Sequence, residues 1–490
     1  MNGHISIWVR QSLVPLGCDM ANMAYDSVCS LLMTVVSRKA ALIALAIVLS
    51  AIICPIKVIG QPPAIPPLQP FGVEGIPRHL WARLSQPNRI LALARAGCDS
   101  NMEERIVAGL DALQRQQSAD GSWGSRMQVG TTALAVMAFA GHGETVESPI
   151  YGNCVKKAVE WLLGAKIEGV PFAAKISKGE KPELLHMGDW ELAMGVSALA
   201  EYFEISRDEK VSPLVRAGAE YLLQQQLPTG AWGPSAKPSN GWNGGDAAAL
   251  GDICRTGWAV QALVAAQRAG LCPPGIENAI DNARGFVSNI AGSNGLIGCR
   301  HPPAPNESTE DIWRTCIGVF ILGQSTRLNA TQSAVLSKAM GVILRDAEPK
   351  KGHKLPERRF EYPLQVAPAG QIHMLDNVFQ SSKELGGYYY AAISGRVLGE
   401  PIWSRSRNRY VLPIIRSQNR DGTWSPNGLE WKYPCQFVNM DVILDNYRDP
   451  AYLNAVCLLI CETPYRILPI SELRYFSPPR SRASTPAPNK

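Results

Sequence analysis

Three stretches of this sequence repeat one shape, and that repeat limits the fold more than any other feature. Residues 109–117 lead into Asp120-Gly121-Ser122-Trp123-Gly124, residues 221–226 into Thr229-Gly230-Ala231-Trp232-Gly233, and residues 412–418 into Asp421-Gly422-Thr423-Trp424. Each reads as an amphipathic helix ending in glutamine, then a turn whose Gly takes positive φ, then a tryptophan. The tryptophan spacing fits a unit of roughly 55–65 residues. Weaker copies at 154–169 and 279–295, and a helix at 333–345, fill the gaps. After each turn comes a second, more apolar helix rich in Ala, Gly and Thr, at 131–140, 189–203, 254–269, 311–323, 383–397 and 451–461. Those second helices are expected to pack closely inside the first set. The expected fold is all-α: six helix hairpins closed in a ring, an α/α toroid. Closure removes the exposed ends that an open solenoid of the same pairs must cap.

The chain has 490 residues, beyond the ~250–300 at which one core ordinarily splits unless repeats extend it. Its net charge of +6 is small for that length, and part of it sits in the tail at Arg480 and Arg482. Nucleic acid is therefore not an expected partner. With 46% apolar and 18% charged residues, the composition also excludes a multi-span membrane protein. Residues 40–53 form an apolar run behind Arg38-Lys39, shorter than the ~20 residues of a membrane-spanning helix. That pattern matches a secretory signal over 33–60, with residues 1–32 a doubtful start or an extension. An exported protein, periplasmic or extracellular, is expected, with anchoring through 40–53 as the alternative. Residues 61–95 are assigned to a proline-rich linker, 96–470 to the toroid and 471–490 to a disordered tail. Nine of the twelve cysteines lie from Cys98 onwards, an odd count that is not a small disulfide framework.

The Gln…Asp-Gly-Ser-Trp-Gly signature resembles the prenyltransferase and squalene-oxidase repeat, a family that includes terpene cyclases and the β subunits of protein prenyltransferases. The resemblance covers about residues 100–465 and implies the α/α toroid. In such repeats the tryptophan packs on a neighbouring helix end and the glutamine bonds across the loop. It therefore implies structural roles for Gln116, Trp123, Gln225, Trp232, Gln418 and Trp424.

The family's catalytic motifs do not accompany the repeat. The sequence holds neither the D-x-D-D proton donor of squalene-type cyclases nor the D-D-x-x-D magnesium motif of ionising terpene synthases. Asp252-Ile253-Cys254, followed by Trp258, resembles the D-x-C-x-x-x-W stretch of zinc-using prenyltransferases, which makes Asp252 and Cys254 metal candidates. The third ligand should be a His, but Arg314 stands there in Trp313-Arg314-Thr315-Cys316, and arginine has no lone pair to give. No resident cofactor is expected beyond that weak zinc match.

In a ring of helix pairs the inner helices run parallel, so their N-termini share one mouth. Polar residues gather there: His186, Asp189 and Glu191 as acid–base candidates, and Arg255, Asp311 and Arg314 as ligand-binding candidates. Helix capping also accounts for Asp189, Asp252 and Asp311, and Arg255 and Arg314 can pair with Asp252 and Asp311, whereas capping accounts less well for His186. The triple Tyr388-Tyr389-Tyr390 reads as core. Three functions stay open: binding of a small molecule or protein at the mouth, an isoprenoid-handling cyclase or transferase with a non-standard site, and a polysaccharide-active enzyme. The second needs an open aromatic cavity. The third needs two carboxylates ~5–10 Å apart in a groove, for which Asp189 with Glu191 or Asp311 are the candidates.

Overall fold

The computed structural model describes residues 78–99, 101–124, 127–164, 166–167, 170–171, 188–233, 251–303, 312–325, 327–346, 385–424 and 449–467. All of them belong to one of the chain's two compact units, Pro70–Lys490. The signal segment, the extension and the tail lie outside the described residues.

Two short helices come first, α1 (Arg78–Trp81) and α2 (Gln86–Arg95). Helix pairs follow. The first is α3 (Asn101–Arg115) with α4 (Gln128–His142), and the second α5 (Gly152–Gly164) with α6 (Gly188–Ser206). Between α5 and α6, β1 (Lys166–Ile167) and β2 (Val170–Pro171) form a two-residue antiparallel ladder. Then come α7 (Ser212–Gln224) with α8 (Ile253–Arg268), α9 (Ile276–Asn289) with α10 (Trp313–Leu322), and α11 (Ala330–Asp346) with α12 (Leu385–Leu398). The last outer helix is α13 (Ile402–Ser406) and α14 (Leu412–Arg416), joined by a π-helical turn at Arg407–Val411, and its partner is α15 (Pro450–Arg466).

The two members of a pair differ as their sequences require. In α3 the buried residues Met102, Ile106, Leu110 and Leu113 recur every three to four positions, one stripe of an amphipathic helix. In α4 every residue from Val129 to His142 is buried. Such a helix needs neighbours on all sides. Among the described residues α4 packs on α6, α6 on α8, α8 on α10, α10 on α12, α12 on α15, and α15 back on α4. The inner helices thus close a ring, and the outer helices lie on its outside. This is the expected all-helical α/α toroid.

The loop signature works by repeated bonds. Each indole N–H donates to a carbonyl ten residues back: Trp123 to Leu113 and Trp232 to Leu222 at 2.7 Å, Trp424 to Ile414 at 2.8 Å. The backbone N–H of each tryptophan donates to a side chain of the next inner helix, Thr132, Thr256 or Asn454. The crossing glutamines are Gln117, Gln226 and Gln418, each donating to the Gly four residues on and to a carbonyl of the following outer helix. This corrects the register at two of the three loops. Gln116 instead accepts from Asn454 at 2.9 Å, and Gln225 ends α7 through its backbone. A fourth loop keeps the device without tryptophan: Gly295 (φ +89°) lies against the Lys338 carbonyl, and Ile297 N–H donates to Thr315 Oγ1 at 3.0 Å.

Residues 78–95 also depart from expectation, since they form α1 and α2 rather than linker. Ser85 caps α2 by accepting from Asn88 N–H, and Pro87 sits in its first turn, where its missing donor costs nothing. Both helices pack against α15, and α2 also against α3.

Candidate functional site

The inner helices run in parallel. Gly387 lies on Trp313 near the starts of α12 and α10, whereas Glu204 pairs with Arg268 near the ends of α6 and α8. Connections from outer to inner helices, such as 225–252, 347–384 and 417–449, therefore reach the pole where the inner helices begin. Those returning to the next outer helix are short, none longer than 143–151. A scaffold that places its long loops at one pole offers that pole as the place for function.

Several residues named from the sequence lie at this pole. His186 and Asp311 fall outside the described residues, and Asp189 lies in the first turn of α6. Glu191 is buried, and its Oε1 accepts from the Gly130 backbone N–H at 3.1 Å. That N–H belongs to the first turn of α4, which has no intrahelical acceptor, so Glu191 completes the helix start. Asp252 is the N-cap of α8: it accepts from Arg255 N–H at 2.9 Å and forms an ion pair with the Arg255 guanidinium. The Arg255 charge is thereby balanced within its own helix turn, and the guanidinium lies 5.4 Å from the Trp190 ring centroid. Arg314 lies over the neighbouring Trp313 ring at 5.6 Å and is part-exposed. Cys254 is buried in the first turn of α8. Among the described residues no three His, Cys, Asp or Glu side chains come together to hold a metal. The Asp252 carboxylate is already committed to its cap and its ion pair.

Below this rim the lumen is crossed by side chains that the sequence reading did not single out as a site. From α12, Tyr389 and Tyr390 reach over α10 to α8, where Trp258 stacks on Tyr389 at 5.9 Å and meets Tyr390 edge-on at 5.9 Å. Phe320 of α10 packs on Tyr390 at 5.5 Å. Deeper, Gln261 of α8 donates to the Tyr389 hydroxyl at 2.9 Å, and Arg466 of α15 reaches the same hydroxyl at 3.2 Å. Arg466 also forks onto Glu201 of α6, at 2.9 and 2.6 Å, across the position of α4. Burial alone would raise the Glu201 carboxyl, but the Arg466 charge and hydrogen bonds outweigh it and hold it below its usual range. The lumen of the ring is therefore crossed by packed aromatic side chains above a buried salt bridge.

Five buried polar atoms of the inner helices have no hydrogen-bond partner among the described residues: Trp190 Nε1, Ser197 Oγ, Gln261 Oε1, Trp313 Nε1 and Tyr390 Oη. They come from α6, α8, α10 and α12. Four of the five are donors, counting the two hydroxyls. Trp258 and Glu191 each remain 9% exposed, while Val260 and Ala262 of α8 are at 0%.

Comparison with known proteins adds little about chemistry. A family model described as a domain of unknown function, DUF6288, matches residues 106–297, less than half of the chain. No curated protein matches. The chain is similar to the solved structure of the type II terpene cyclase MstE from Scytonema, at 11% identity over 74% of this chain and 98% of that one, with a TM-score of 0.43. It is similar to the GH76A alpha-1,6-mannanase from Salegentibacter sp. HEL1_6, at 10% identity over 74% and 98%, with a TM-score of 0.44.

Proposed function

We propose that this chain is an exported ligand-binding toroid whose mouth takes a small molecule with a flat apolar face and hydrogen-bond acceptors. The observation that carries the reading is the set of buried donors on the inner helices without a partner among the described residues, Trp190, Trp313, Tyr390 and Ser197. Buried polar groups in folded proteins have partners almost without exception, so groups beyond the described residues meet these, and a ligand's acceptors fit that role. The aromatic surfaces of Trp258 and Tyr390 favour a ligand with an apolar face over water alone. Export rests on the apolar run at 40–53 behind Arg38-Lys39.

The reading asks for no catalytic group at the mouth. Glu191 is spent on the start of α4, and Asp252 on the start of α8 and on Arg255. Glu201, Arg466, Tyr389 and Gln261 bond to one another across the lumen, a polar plug that counts against cyclase-like chemistry on a long isoprenoid chain.

Tryptophan fluorescence tests this directly, because Trp190 and Trp313 belong to the mouth. The full chain is titrated with planar aromatic carboxylates, neutral sugars and isoprenoid alcohols. Saturable binding of the first class is expected, weakened roughly five- to tenfold in Trp313→Phe and in Tyr390→Phe, each of which removes one donor. Binding that neither variant weakens, or saturation by none of the three classes, overturns the proposal.

A further inference from the structure

The repeat allows one position to be compared around the outside of the ring. Each turn glycine lies against a carbonyl of the following outer helix: Gly422 on Ala108, Gly121 on Lys157, Gly230 on Asn282 and Gly295 on Lys338. Three residues further along those helices stand Asp111, Glu160, Gly285 and Gly341. Asp111 accepts from the Tyr151 hydroxyl at 2.6 Å, and Glu160 is exposed. Beside Gly341 the Arg345 guanidinium comes within 3.4 Å of where a Cβ would stand. Beside Gly285 nothing lies within 4 Å of that point. A glycine inside a helix destabilises it relative to alanine, and here packing does not require one.

The space beside Gly285 is a groove of ≈ 830 Å³, within the range of ligand sites. Its floor is the outward face of α9, with Asp281, Asn282, Gly285 and Asn289 spread over about 12 Å of helix. The end of α7 contributes an apolar border through Leu223, Leu227 and Pro228. The turn into α11 contributes Arg327, Asn329 and Gln332. The last two form a capping box: Asn329 N–H donates to Gln332 Oε1 at 3.1 Å, and Gln332 N–H donates to Asn329 Oδ1 at 2.8 Å. Both carboxamide oxygens are thereby held by the backbone, and their NH2 ends remain to donate. With the exposed Arg327 guanidinium, this border is a set of donors. On the floor Asp281 pairs with Arg284 while its side chain stays 61% exposed, so an acceptor faces the groove as well.

An extended peptide matches this lining. Its carbonyls and carboxylates accept from the α11 border, its N–H groups donate to the floor, and an apolar side chain meets Leu223 and Leu227. Four extended residues span about 13 Å, the length of the floor. A sugar chain would lack an aromatic face to stack on, since Phe286, the aromatic residue of the lining, is 3% exposed. We infer that the groove over α9 binds an extended peptide segment carrying an apolar and an acidic residue, and that Gly285 is bare so that the peptide backbone can lie against the helix. The site uses none of the residues assigned to the mouth.

The test is phage display of random dodecapeptides on the immobilised full chain, followed by fluorescence anisotropy with labelled synthetic copies of the enriched sequences. Those sequences should share an apolar residue and an acidic one. Gly285→Leu fills the groove with a better helix former, so it should keep the thermal midpoint at or above that of wild type. It should nevertheless weaken peptide binding roughly tenfold or more. Arg327→Glu, a change at an exposed residue, should weaken binding roughly fivefold or more. Failure to enrich any shared sequence, equal affinity in wild type and Gly285→Leu, unchanged affinity in Arg327→Glu, or displacement of the peptides by maltohexaose would each overturn the site.

Discussion

Gln418, in the last loop of the ring, donates to the backbone carbonyl of Arg105 in the first outer helix at 2.8 Å, across 313 residues of sequence. Gln117 and Gln226 make the equivalent bond to the next outer helix, onto Cys154 and Ala279. The bond that closes the ring is therefore the same bond that joins neighbouring pairs. Closure needs no special element, only a last loop that meets the first helix in register.

This makes the glutamine register testable. Gln226→Ala removes bonds to Gly230 and Ala279 and leaves two carbonyls without that donor, so it should cost about 1–2 kcal/mol. Gln225→Ala should stay within about 0.5 kcal/mol. Urea unfolding of both variants decides the matter, and equal losses would contradict the register described above.

The loop glycines divide in the same way. Gly422 has φ of +85° and faces the Ala108 carbonyl so closely that any side chain would strike it. Gly422→Ala should destabilise the chain by about 2 kcal/mol or more, through both strain and collision. Gly285, inside α9, has nothing within 4 Å of where its Cβ would stand, so Gly285→Ala should stabilise by about 0.5–1 kcal/mol. Denaturant midpoints of the two variants should move in opposite directions.

Glu201 and Arg466 should behave as a buried ion pair. Glu201→Gln leaves Arg466 facing an uncharged amide and should cost about 3–5 kcal/mol near neutral pH. The folded Glu201 carboxyl is held below its usual range, so its contribution is present above about pH 4.3 and is lost as pH falls through the folded value. The gap between wild type and Glu201→Gln should therefore shrink on acidification. A gap that persists undiminished at about pH 3 would contradict the ion-pair account.

Glu462 should show the opposite sign. Its folded carboxyl is raised by burial, so the folded chain keeps a proton that the unfolded chain releases above about pH 4.3. Stability tied to that proton is complete below this pH and declines as pH rises toward the folded value. Glu462→Gln cannot ionise, so its thermal midpoint relative to wild type should rise between about pH 5 and pH 8. A flat or falling difference would mean that Glu462 is ionised in the fold.

The helix pairs were legible because apolar and amphipathic segments alternate along the chain, and Gly and Trp mark each turn. The glutamine register was misread where glutamines run together, at 114–117 apart from Arg115 and at 224–226. Only the constant spacing of four residues to Gly separates the crossing residue from its neighbours. Residues 78–95 were absorbed into the linker because the prolines before them hide short helices that carry their own cap. The buried charges were visible as Glu201, Glu204, Glu462 and Arg466 inside otherwise apolar helices, yet nothing local pairs Glu201 with Arg466, which lies 265 residues away. The rim acids were legible as residue types, and their neighbours decide their roles: Glu191 meets the start of α4, and Asp252 meets Arg255.

Native mass spectrometry of the full chain, purified without denaturant, tests the binding account most directly. The account predicts a non-covalent adduct of small-molecule mass, lost on denaturation and depleted in the Trp313→Phe, Tyr390→Phe double variant. An unadorned chain mass in the wild-type protein, or an adduct unchanged in the double variant, would contradict it.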